Sequence, residues 1–101
     1  MAKIIRAIGK LPGHPPFEVF IPNDLQALQT FVQGYIETVT VGDAVVICNE
    51  EGFLLGLPYN CHVDGLKLVG PILLVGRDGD EFADAPEGAR NLITEVQHDQ
   101  P

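Results

Sequence analysis

Only two residues, Gly42 and Asp43, separate the β-branched, roughly alternating run YIETVTV (35–41) from AVVICN (44–49). A connection that short cannot carry the crossover that parallel strands require, so the two runs are expected to pair as an antiparallel hairpin. AVVICN is apolar at successive positions, the pattern of a strand covered on both faces. The sequence EEG (50–52) then reads as a second tight turn, its glycine free to take a positive φ, and FLLGL (53–57) as the strand that follows.

Two more strands are expected nearer the N-terminus. Residues 3–8 alternate loosely, and FEVFI (17–21) places Phe17, Val19 and Ile21 on one face, the period of two of a strand. Between them LPGHPP carries three prolines and a glycine and is a loop. In NDLQALQTFVQG (23–34), Asn23 or Asp24 can cap a helix whose apolar positions Leu25, Leu28, Phe31 and Val32 recur at spacings of three and four, with Gly34 at the exit. Three turns of helix need a surface to lie on, and the sheet supplies it. Further on, Pro71 interrupts LKLVGPILLVG and leaves 72–75 as a short buried or edge strand. The expected fold is α+β, a mainly antiparallel sheet of about five strands with one packed helix.

Charge divides the chain. Residues 1–77 hold seven acids against five bases, whereas residues 78–101 hold seven acids against Arg90 alone. The reading that follows is a single α+β domain over 1–77 and an acidic C-terminal extension over 78–101, with a short helix near 89–96. The net charge of −8 opposes direct binding of nucleic acid through a basic patch. No apolar run approaches the roughly 20 residues that span a bilayer. MAKIIRAIG does not resemble a secretory leader, so a cytoplasmic location is expected, with Cys48 and Cys61 reduced.

Catalytic chemistry finds little support. Cys61 and His62 are adjacent, with Cys48, Asp64 and His14 as conceivable company, but they lack the paired short spacing of a structural zinc site, and Cys48 suits a core. Glu50 and Glu51 could be drawn as an acid/base pair, yet neighbours on a turn point apart and nothing supplies the burial that would raise a pKa. Phosphate loops, dinucleotide fingerprints, nucleophile elbows and metalloprotease pairs are absent from the sequence. No catalytic residue, metal or cofactor is expected.

GLPYN (56–60) exceeds what a turn needs. Gly56 permits close backbone approach, Pro58 stiffens the exit, and Tyr59 and Asn60 set a stacking ring beside a two-way hydrogen-bonding amide. With Tyr35 and Asn49 near other strand ends, these residues form the candidate binding set for a planar, nucleotide-like ligand. A rigid turn with Tyr59 half buried accounts for the same residues.

The succession QxFVxGYIE, CNEEG, LxGLPxN and GPxLxVG, spread over roughly residues 3–84, resembles a family of small proteins from phages and mobile elements catalogued as a domain of unknown function. Cys61 departs from that pattern, which has a basic residue after the asparagine. The resemblance implies a mobile-element accessory protein. Together with the absence of catalytic groups, it leads to a non-enzymatic binding module, an anti-defence protein that sequesters a small nucleotide-like ligand or covers a host defence protein. A homodimer is expected, because a chain this small needs a second copy to close a pocket. The alternative is an acidic protein whose tail imitates nucleic acid and blocks a DNA-binding host enzyme.

Overall fold

A computed structural model describes residues 2–96. The elements in chain order are β1 (Ile4–Lys10), β2 (Phe17–Pro22), α1 (Leu25–Val32), β3 (Ile36–Val41), β4 (Ala44–Asn49), β5 (Tyr59–Val63), β6 (Leu66–Val69), β7 (Ile72–Asp78), β8 (Glu81–Ala83), a 3-10 turn (Ala89–Leu92) and β9 (Ile93–Thr94). All pairings are antiparallel. The main sheet runs β2-β1-β7-β4-β3 with β8 on β7, and a smaller sheet runs β6-β5-β9. The fold class is α+β as expected, with more strands than the five expected, arranged in two sheets.

The burial pattern gives three layers. Ile5, Ala7, Val45, Ile47, Leu73 and Val75 pack with Leu28 and Val32 of α1. Their sequence neighbours Ile8, Val46, Cys48, Ile72 and Leu74 pack on the opposite side with Cys61, Val63 and Leu68 of the smaller sheet. Period-two alternation therefore sends adjacent residues of β4 and β7 into two different cores, and both strands are buried on both faces. At about 25 cal/mol per Å² of apolar surface removed from water, these two strands anchor the fold.

Local chemistry sets the helix limits. The Asp24 carboxylate accepts a hydrogen bond from Ala27 N–H (2.8 Å), an N-cap. Gln33, at φ 68°, takes the left-handed position at the C-terminus, one residue before the expected Gly34.

Two expectations are corrected and a third, left open between two places, is resolved. FLLGL is not a strand: residues 51–56 form a coiled turn, and the next strand is β5, starting at Tyr59. Pro71 leaves the strand after it in the buried of the two places expected, buried or edge, and that strand runs on to Asp78. The proline precedes β7, whose ladder bonds begin at Ile72, so its missing N–H costs nothing and β7 lies between β1 and β4. In place of a helix over 89–96 there is a single 3-10 turn followed by β9, and the residues beyond 96 lie outside those described.

The division expected after residue 77 falls within β7. The stretch after it folds back: Ala85 and Ala89 enter the core, and Ala85 N–H donates to Arg6 O (2.7 Å). Asp84 accepts from Arg6 N–H (2.8 Å), and Glu95 pairs with Lys10 (3.2 Å). A Cβ at Gly76 would collide with the Asp84 carbonyl, so β7 and this return are held backbone to backbone.

Candidate functional site

Four of the six candidate residues form two separate pairs, with Gly56 and Pro58 between them in the chain. Tyr35 and Asn49 stand at one end of the β3–β4 hairpin, where Glu50 N–H donates to Tyr35 O (2.8 Å). Tyr59 and Asn60 begin β5 in the smaller sheet.

Asn49 is 5% exposed and its amide is spent on the backbone. Its Nδ2 donates to Val32 O (3.0 Å) and Gln33 O (3.2 Å), capping the last carbonyls of α1, while its Oδ1 accepts from Glu51 N–H (2.7 Å). Gly34 makes this possible, since a Cβ there would sit 2.7 Å from Asn49 Nδ2. One side chain thus ties helix, hairpin and the turn after it.

Asn60 is a second latch. It is 1% exposed, and its Nδ2 donates to Lys10 O and Gly70 O, both at 2.7 Å. Its Oδ1 has no hydrogen-bond partner among the described residues. Gly70 N–H donates to Pro58 O (2.8 Å), closing the same junction from the other side. Lys10, fully buried, donates to Leu11 O (3.1 Å) and pairs with Glu95.

Tyr59 is half-buried and engaged locally: its hydroxyl lies 2.7 Å from His62 Nδ1 and accepts from Val96 N–H (3.0 Å), with the two rings 5.5 Å apart. Gly56, at φ 69°, and Pro58 are exposed, whereas Tyr35 presents its ring to solvent at 66% exposure.

Between the latches lies what the sequence reading missed. Residues 50–57 coil on themselves through Leu55 N–H to Glu51 O (2.9 Å), Gly56 N–H to Phe53 O (3.1 Å) and Leu57 N–H to Gly52 O (3.0 Å). Gly52 is buried against Val69, which pins the base. The result is an ordered tip with three successive apolar side chains in water: Phe53 (66% exposed), Leu54 (88%) and Leu55 (58%). Glu50 and Glu51 are exposed at its foot. Phe53 also walls a narrow cleft of about 120 Å³ with Glu37, Val39, Cys48, Lys67 and Leu68. The available signal was the pair of glycines four residues apart, Gly52 and Gly56, which bracket the three apolar residues.

The thiols are poor nucleophiles. Burial pushes Cys48 up to about 11, with Glu37 adding to the shift. Burial also raises Cys61 to about 11, against the pull of Lys10 and with a small push from Glu95. Both cysteines are free. Among the described residues no group of three or more His, Cys, Asp or Glu side chains is placed to hold a metal ion, and no helix is long and apolar enough to cross a membrane. Larger clefts open elsewhere, about 470 Å³ between α1 and β2 and about 430, 420 and 340 Å³ beside Pro86.

The latches coincide with the sequence pattern: GYIE and CNEEG hold Gly34 and Asn49, while GLPYN and GPILLVG hold Asn60, Gly70 and Gly76. Residues 5–98 match the family described as Domain of unknown function (DUF3846). The chain belongs to the DUF3846 family. No curated protein and no solved structure matches it. In this DUF3846 chain Asn49 and Asn60 serve as fold latches, and the exposed apolar side chains of Phe53, Leu54 and Leu55 lie between them.

Proposed function

We propose that this protein is a non-enzymatic binding module whose recognition element is the tip Phe53–Leu54–Leu55, and that its target is a protein with an apolar cleft bordered by cations. One observation carries the reading: three consecutive large apolar side chains stand in water on a turn fixed by its own backbone bonds and by Asn49 at its base. A fold that buries all of β4 and residues 72–76 of β7 leaves such a run exposed only at a cost, and an ordered, solvent-facing apolar run is the mark of an interaction surface. A rigid tip also surrenders little entropy on docking. The carboxylates of Glu50 and Glu51 argue for a basic rim on the target and against an anionic lipid surface.

The mobile-element setting and action against a host defence protein are the biological context proposed for this binding, from the family resemblance. Sequestration of a nucleotide-like ligand by Tyr59 and Asn60 is less well supported, because both amide hydrogens of Asn60 are spent on Lys10 and Gly70. Imitation of nucleic acid by the acidic stretch is weakened by the use of Asp84 and Glu95 within the body.

The test compares tagged wild-type protein with Leu54→Asp, each used to capture partners from host cells. A host protein retained in stoichiometric amount by the wild type and lost by Leu54→Asp, with unchanged circular dichroism, is the expected result. Equal retention by both forms would remove the tip from recognition.

A further inference from the structure

We propose that the free edge of β3 pairs with β3 of a second copy of this chain, antiparallel, about a two-fold axis at Val39. The main sheet ends at β3, which pairs with β4 on one side alone among the described elements. Val41 and Ala44 flank the two-residue turn and so exchange ladder bonds, and Tyr35 O accepts from Glu50 N–H at the other end. The odd-numbered residues therefore bond inward to β4. Ile36, Thr38 and Thr40 point their N–H and C=O groups outward.

Native edges are usually blunted by proline, bulges or charge. β2, at the far end of the sheet, carries Glu18 and Pro22, whereas β3 has neither proline nor register shift, and its central residues Thr38, Val39 and Thr40 are uncharged. Glu37 is the single charge on β3, and it rules out two registers. An axis at Glu37 would oppose two carboxylates, and an axis at Thr40 would oppose Glu37 to Asp43. With the axis at Val39, Glu37 faces the partner's Val41, Thr38 faces the partner's Thr40, and the outward-pointing groups meet in hydrogen-bonded pairs.

The same register gives Tyr35 a place. Past the end of the paired strands it comes beside the partner's Gly42–Asp43 turn. Val39 and Val41 lie on the face of the smaller sheet, as does the cleft of about 340 Å³ lined by Val41, Gly42, Asp43 and Leu92. The exposed Tyr35 ring of each copy would cover that cleft on the other, with its hydroxyl near a carboxylate. The two apolar tips would stand at opposite ends of one continuous sheet, giving a bivalent module.

Light scattering and sedimentation of the full chain over a wide concentration range test this directly. The expected mass is twice the 10.9 kDa of the chain. Thr38→Lys/Thr40→Lys changes two exposed side chains and sets lysines opposite one another across the axis, so the mass should fall twofold with unchanged circular dichroism. Thr38→Pro removes one outward-pointing donor and no β4 bond, and should act in the same direction. A wild type that stays monomeric, or lysine and proline variants that stay dimeric, would overturn the proposal. So would a monomer whose β3 amides gain exchange protection only when a host protein is added, because the edge would then take a partner's strand. Leu54→Asp should remain dimeric, which keeps the fate of this interface separate from that of the tip.

Discussion

Residues 44–48 (AVVIC) and 53–57 (FLLGL) are apolar runs of equal length, separated by a four-residue turn sequence, with opposite fates. Every residue of the first is buried, whereas Phe53, Leu54 and Leu55 of the second stand in solvent. Hydrophobicity does not separate them. AVVIC has ladder partners on both sides, β3 and β7, and a packing layer on each face, α1 and the smaller sheet. FLLGL coils, with the amides of Leu55, Gly56 and Leu57 and the Phe53 carbonyl bonded within its own turn, so it offers no extended ladder to a sheet. A run becomes core when both its backbone and its side chains find partners.

The contrast can be broken from its strong end. Ile47→Ala leaves a cavity between β4 and α1 and should cost about 2–5 kcal/mol in denaturant unfolding. A cost near zero would mean that the core is loosely packed. High pH probes the other face of the same strand. Each thiol ionises near its ordinary value of 9.0 when unfolded and near 11 when folded, so the folded protein holds protons that the unfolded chain releases. Stability should then fall between pH 9 and pH 11, by about 1.4 kcal/mol per pH unit for each thiol. Cys48→Ala/Cys61→Ala should flatten that slope, and an unchanged slope would place its origin elsewhere.

Asn49→Ala comes next. It frees the carbonyls of Val32 and Gln33 and the Glu51 amide, and should cost about 1–3 kcal/mol while raising hydrogen exchange in residues 50–57. Loss of stability with no change in exchange would separate the latch from the tip. At the weak end, Leu54→Ala should change stability by less than about 0.5 kcal/mol. A larger loss would show that the tip is packed in solution. Removing residues 78–101, by contrast, deletes β8 and β9 together with Ala85 and Ala89 of the core, so it reports on folding more than on the charge of the tail.

The residues that carry local signals were legible. The two-residue turn at Gly42–Asp43, the doubly covered character of AVVICN, a cap at Asn23 or Asp24 and the amphipathic helix all follow from neighbours a few positions apart, although the helix is eight residues long and falls short of three turns. The candidate site was legible in part. Asn49 and Asn60 attract notice as polar residues at strand ends, but whether such an amide faces a ligand or a carbonyl depends on Val32, Lys10 and Gly70, which lie 10 to 50 positions away.

Sequence by itself determined the β3–β4 hairpin, the amphipathic helix and the α+β class, because turn length and hydrophobic period act over a single turn or strand. Only the tertiary structure decided that Pro71 opens a central strand, that the acidic stretch returns to the body, and that FLL stays in water. Those outcomes depend on which distant backbone groups and side chains remain to be partnered once the two cores have formed, and no local pattern encodes that remainder.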